Sequence, residues 1–196
     1  VGDFDHSDGF SYGCWIKPQG NPNGAPIGKM NEGNSHRGWD MLIQNGQMTV
    51  HLVNTWPTNA SKITTKSKLP ADKWTHVFAT YDGSGKAAGV KVYFNGESQP
   101  WNANEDRLTK TTKTKVPLKI GRRNNSAGFK GLVDDVRIYP RSLTESVVAA
   151  VAGSDPLAPI LAIEEDKRTD QHLRKLRVSY LSSFDDPYKK MVAAKQ

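Results

Sequence analysis

The sequence predicts an all-β fold, an antiparallel jelly-roll β-sandwich, with a short C-terminal helical appendage. Three observations carry this prediction. Apolar and polar residues alternate at period two in the strand-like segments. Asn-Gly pairs at 45–46 and 95–96 mark tight hairpin turns, where both central residues need positive φ. Between these segments there is no room for the helices that parallel strands require.

The elements follow in order. Phe10, Tyr12, Cys14 and Ile16 alternate with Ser11, Gly13, Trp15 and Lys17, a half-buried strand. The Gly, Pro and Asn content of residues 18–28 predicts a loop. Residues 39–44 and 47–54 flank the first Asn-Gly and form a hairpin. Residues 74–81 and 90–95 pair across the Asp82–Lys86 turn, and the second Asn-Gly turns the chain again. Residues 117–121 and 128–139 supply late strands. Ser142 and Glu145 have capping-box spacing, which opens a helix running to Ala152 and stopping at Gly153. Asp155, Pro156 and Pro159 predict a bend and one helical turn. Leu173, Leu176, Tyr180 and Leu181 make one apolar helical stripe, and Asp186-Pro187 opens a last helix through Ala194. The expected domains are a sandwich over 1–153 and a helical tail or linker over 154–196.

Composition narrows the function classes. The chain has 196 residues, one cysteine and a formal charge of +7. One cysteine excludes an internal disulfide or a Cys-rich zinc site, and Cys14 in an apolar strand reads as a core thiol. No stretch is long and apolar enough for a membrane span, so no membrane insertion is expected. Lys110, Lys113, Lys115 and Lys119 alternate with Thr, Val and Pro, as solvated strand faces do. No aromatic residue interleaves that stretch, so nucleic acid is not an expected partner. The start at Val1 and the end at Gln196 without a stop signal are expected of a segment of a larger protein.

Three segments carry a family resemblance. FSYGCWIKP (10–18), WTHVFATYDGSGKAAGVKVYFNGE (74–97) and FKGLVDDVRIYPRSLTESVV (129–148) resemble, in order, motifs of laminin-G-like, concanavalin A-like lectin/glucanase domains. RGWDMLIQNG, HLVNTWP and the tail from Asp155 to Leu181 resemble a segment of large planctomycete exported proteins that also carry a cytochrome c-like haem region. The resemblance implies a secreted or cell-envelope setting. It implies a non-catalytic module whose partners are a glycan, a protein or neighbouring domains of the same polypeptide. The family's opening strand, of the L-x-F-D-G type, is missing.

Candidate chemistry follows from residue type. Hydrolases of this sandwich carry E-x-D-x-x-E on one strand; the pattern is absent, and no catalytic residue is nominated. A purely structural spacer and a hydrolase or lyase with an unrecognised site are the rival readings. Trp39, Trp56 and Trp101 stand beside polar residues such as Arg37 and Asp40, the composition of a glycan platform. These five residues are the nominated ligand contacts. The resemblance implies Asp134 as a ligand of a structural Ca²⁺, with Asp3, Asp5 and Asp8 as contributors because the first and last strands of such sandwiches often adjoin; the other reading is that Asp134 and Asp135 cap a hairpin or pair with Arg137 or Arg141.

Overall fold

The computed structural model describes residues 1–153, 158–161 and 163–194. They fall into two compact units, Val1–Gly153 and Ser154–Gln196.

The first unit is a sandwich of two antiparallel sheets. Its strands are β1 (Phe10–Pro18), β2 (Gly24–Asn31), β3 (Arg37–Gln44), β4 (Gln47–Thr55), β5 (Asn59–Lys68) and β6 (Thr75–Tyr81). They continue with β7 (Val90–Phe94), β8 (Glu97–Ser98), β9 (Trp101–Asp106), β10 (Lys119–Ile120) and β11 (Gly131–Tyr139). One sheet runs β11-β1-β6-β7-β8 and the other β10-β2-β3-β4-β5-β9. The inward residues interleave into one core: Phe10, Tyr12, Cys14 and Ile16 from β1, Trp39, Met41 and Ile43 from β3, and Met48, Val50 and Leu52 from β4. Burial pushes the Cys14 thiol up to about 12, so it stays protonated and inert.

Two glycines are dictated by close approach. A Cβ on Gly13 would sit 2.3 Å from the Val77 carbonyl oxygen. Gly38 has φ +132°, and a Cβ there would lie 1.9 Å from the Lys29 carbonyl oxygen.

Strand β1 lies between β11 and β6, so it is paired on both sides. Residues ahead of β1 pack without forming a strand. Phe4 stacks on Phe10 with ring centroids 4.3 Å apart, and Trp39 Nε1 donates to the Gly2 carbonyl at 2.9 Å.

Several elements differ from the sequence reading. Residues 24–28, expected in a loop, belong to β2. Ala25 and Ile27 are fully buried there, and Pro26 is tolerated because the β2–β3 register shifts between Gly24 and Ile27. β5 and β9 escape the pattern: β5 is mostly polar, and β9 pairs only with β5 at the sheet edge. The Lys110–Lys119 stretch is irregular except for Lys119, which starts β10. It is pinned locally: Leu108 is buried, Thr112 donates to the Phe4 carbonyl, and Asn59 Nδ2 donates to Thr109. Helix α1 spans Glu145–Gly153, so Ser142 lies outside it; the Thr144 carbonyl accepts the first helical bond, from Val148. Ser142 precedes Leu143, which packs with Val148 against Phe78 and Tyr93 on the outer side of the five-stranded sheet.

The second unit holds α2 (Ala158–Leu161), α3 (Asp170–Phe184) and α4 (Asp186–Ala194). The bend expected at Asp155-Pro156 lies outside the described residues. Helix α3 opens on a capping box in which Thr169 and His172 exchange side-chain-to-backbone bonds, both at 3.3 Å. Asp185, one residue earlier than expected, caps α4 by accepting from the Tyr188 amide at 2.7 Å. The apolar stripe Leu173, Leu176, Tyr180 and Leu181 lies on α3.

Candidate functional site

Strand alternation sends every second residue of the six-stranded sheet outward. Because Trp39, Met41 and Ile43 face the core, Asp40 and Leu42 face out; because Val50 and Leu52 face the core, His51 and Val53 face out. The register places His51 between Asp40 on β3 and Lys62 on β5. A pocket of about 180 Å³ opens on this face, lined by Met30, His36, Leu42, Gln44, His51, Val53, Trp56, Lys62 and Arg123.

Loops raise its walls. Residues 32–36 join β2 to β3, with Ser35 and His36 at positive φ. The β4–β5 turn carries Trp56, whose amide donates to the Ser35 carbonyl at 2.9 Å, tying the two loops together. The third wall is the loop from Gly121 to Phe129. It is closed at its base, where the Phe129 amide donates to the Gly121 carbonyl at 2.8 Å and the Ala25 amide to the Ala127 carbonyl at 2.8 Å. Its tip is held by Glu32, which accepts from the Asn125 amide at 2.7 Å and from the Ser126 hydroxyl. Burial acts to raise the Glu32 carboxyl, but these two hydrogen bonds and the nearby Arg123 charge outweigh it and hold the group below its usual range.

Beneath the pocket lies a buried charged triad. Asp40 is fully buried; its Oδ1 meets His51 Nδ1 at 2.8 Å and its Oδ2 accepts from Arg123 Nε. Desolvation alone would raise the Asp40 pKa, but His51 and Arg123 overcome it and the net direction is down. Asp40 is therefore a carboxylate and an acceptor, so the His51 Nδ1 carries a proton and donates to it. The 3.4 Å approach of Arg123 to the same Nδ1 is then a contact and not a second hydrogen bond. Trp56 takes the edge of the His51 ring at 5.5 Å, and Lys62 Nζ sits 5.8 Å from the Trp56 ring centroid.

The nominated residues divide. Trp56 lines the pocket. Asp40 lies under it, sealed from ligand. Trp39 is a correction: it is 1% exposed and packs against Tyr12 at 4.4 Å in the core, so it offers no stacking face. Arg37, at the start of β3, donates to the Asn54 carbonyl at 3.2 Å and is not among the pocket residues. Trp101 is half-buried on β9, packs against the core and is also not among them. His51, Lys62 and Arg123 were not foreseen. Alternation around His51 was available as a signal; nothing in sequence spacing links Arg123 to Asp40, 83 residues away.

The expected calcium ligands do not converge. The register pairs Trp15 with Asp134 and Ser11 with Tyr139, so Asp134 lies about 20 Å along β1 from the Asp3–Asp8 segment. Asp134 instead accepts from the Asp135 amide at 2.8 Å, and Arg137 pairs with Asp135. Among the described residues no three His, Cys, Asp or Glu side chains form a metal-ligand cluster.

Comparison with known proteins agrees with the fold. A carbohydrate-binding module (CBM40) of a Ruminococcus gnavus IT-sialidase, solved with α2,3-sialyllactose, superposes with a TM-score of 0.60 at 20% identity, covering 74% of this chain and 83% of that one. A putative carbohydrate-binding protein from Bacteroides ovatus matches at TM-score 0.56 and 19% identity, over 79% of this chain and 44% of that one. In sequence, adhesion G-protein coupled receptor V1 of Danio rerio is 27% identical over 148 residues, which is 71% of this chain and 2% of the receptor. The chain thus spans a small fraction of that relative's length. The family model described as the concanavalin A-like lectin/glucanases superfamily matches residues 2–149, and the chain belongs to that family.

Proposed function

We propose that the sandwich is a non-catalytic carbohydrate-binding module, and that its ligand sits in the pocket beside Trp56. The observation that carries this reading is the pocket itself: an aromatic ring, an amide and cationic donors converge on the outer face of the six-stranded sheet. The likeness to the CBM40 module and to the Bacteroides ovatus carbohydrate-binding protein supports it. Glycoside hydrolysis needs two carboxyl groups flanking the scissile bond. No acidic side chain is among the pocket residues, and Asp40 beneath them is sealed and ion-paired. The module fits a larger exported protein, the setting that the planctomycete resemblance implies, with its partners a glycan and the neighbouring domains.

The test is a glycan array probed with the folded chain and with Trp56→Ala. The unaltered chain retains a defined set of glycans, and Trp56→Ala loses them while keeping its melting temperature. Retention of the same glycans by Trp56→Ala would move the site elsewhere. A folded chain that retains no glycan would favour the spacer reading.

A further inference from the structure

The pocket's polar groups are unusually one-sided. The Lys62 ammonium and the Arg123 guanidinium are donors only. His36 and His51 add ring nitrogens, and Gln44 alone brings a carbonyl acceptor besides its own NH₂. A neutral sugar presents hydroxyls, each both donor and acceptor, and a site for it needs carboxylates or carbonyls to take the hydroxyl protons. Of the two nearby carboxylates, Glu32 is engaged by Asn125 and Ser126 in the loop wall, and Asp40 is buried below the floor with both oxygens engaged by His51 and Arg123. Its role is to hold those two side chains in place, not to meet a ligand. The Arg123 contact with Asp40 uses Nε, so Asp40 does not take up the terminal guanidinium nitrogens, and Arg123 is among the pocket residues. Lys62 makes no ion pair among the described residues; its ammonium lies near the Trp56 ring.

We infer that the pocket recognises a saccharide bearing an acidic group, a carboxylate or sulfate, with the anion between Arg123 and Lys62 and the sugar ring against Trp56. The inference rests on the carbohydrate-binding reading and names its ligand class. An acceptor-only anion matches a donor-rich wall, and charge-assisted hydrogen bonds are the strongest this wall can make. Arg123 and Lys62 are matched in number by Asp40 and Glu32, but neither carboxylate is among the pocket residues, so the wall a ligand meets is cationic.

The experiment is isothermal titration of the full chain with matched saccharides that differ only in charge. The pairs are sialyllactose against lactose, an oligogalacturonate against its methyl ester, and sulfated against unsulfated galactose. At least one acidic member binds about tenfold or more tighter than its neutral partner, the scale of one charged hydrogen bond. That preference shrinks when salt rises from about 20 to about 300 mM. Lys62→Gln, which leaves the Asp40 pairing untouched, cuts the preference about tenfold and leaves the melting temperature unchanged. Equal binding of acidic and neutral members, or a preference unmoved by Lys62→Gln, overturns the inference and leaves the carbohydrate reading standing. Binding of no member by a chain that melts cooperatively overturns both.

Discussion

Asp40→Asn is the sharpest probe of how the site is built. The substitution keeps the side-chain shape and removes one charge from a fully buried position. Arg123, whose side chain is 13% exposed, then loses its anion, and the new amide cannot accept from both Arg123 and His51 on two oxygens. Leaving a buried partner uncompensated costs about 3–5 kcal/mol. A domain is stable by about 5–15 kcal/mol, so about a fifth or more of the total is at stake. With a urea slope of about 2 kcal/mol per M, the midpoint falls by about 2 M. Tryptophan fluorescence reports the transition, since Trp39 sits buried in the adjoining core. Arg123→Met alone is similarly damaging because it strands Asp40, whereas the double variant costs less than the sum of the two. A midpoint shift under about 0.5 M, or simple additivity, would show that the pair behaves as a solvent-screened surface bridge and would refute the reasoning.

Two further outcomes follow from the same structure. Gly38→Ala places a Cβ 1.9 Å from the Lys29 carbonyl oxygen at a φ of +132°, so the β2–β3 pairing must shift; a loss of about 3 kcal/mol or more in urea unfolding is expected, and a wild-type midpoint would show that the strand accommodates the methyl. Burial in the five-stranded sheet lowers His76 to about 4 against an ordinary value of 6.5, partly offset by Asp135. The unfolded chain therefore binds a proton that the folded one refuses. This contribution is whole above about pH 6.5 and is lost as pH falls to about 4, by up to about 3 kcal/mol. Unfolding of His76→Gln measured over that range has a shallower pH slope than the unaltered chain; equal slopes would assign the dependence to other groups.

The architecture was legible because alternation and Asn-Gly turns report directly on strands with one apolar face. β2 was hidden because its glycines and proline are loop-like by composition, while the irregular register that tolerates Pro26 is a tertiary property. β5 was hidden because most of its side chains are polar, Lys62 among them in the site, and Ile63 is the one large apolar landmark in the strand. The site itself was half legible. Trp56 stood out as an aromatic in a polar turn. Trp39 misled because its polar neighbours suggested exposure, although its period-two partners Met41 and Ile43 already pointed it inward. Arg123 reaches Asp40 from a loop that folds back across the sheet, and local spacing holds no trace of such a long-range contact.

The pairing of β1 with β11 sets a rule for how the chain is made and cut. Ser11 lies opposite Tyr139, so the five-stranded sheet is completed only after nearly the whole sandwich has emerged from the ribosome. Until then one side of β1 offers unpaired amides and carbonyls to any extended segment nearby. Fragments ending before Gly131 keep that edge bare permanently. Such fragments are expected to self-associate, as light scattering would show, whereas chains that extend beyond Tyr139 carry the strand that shields the edge.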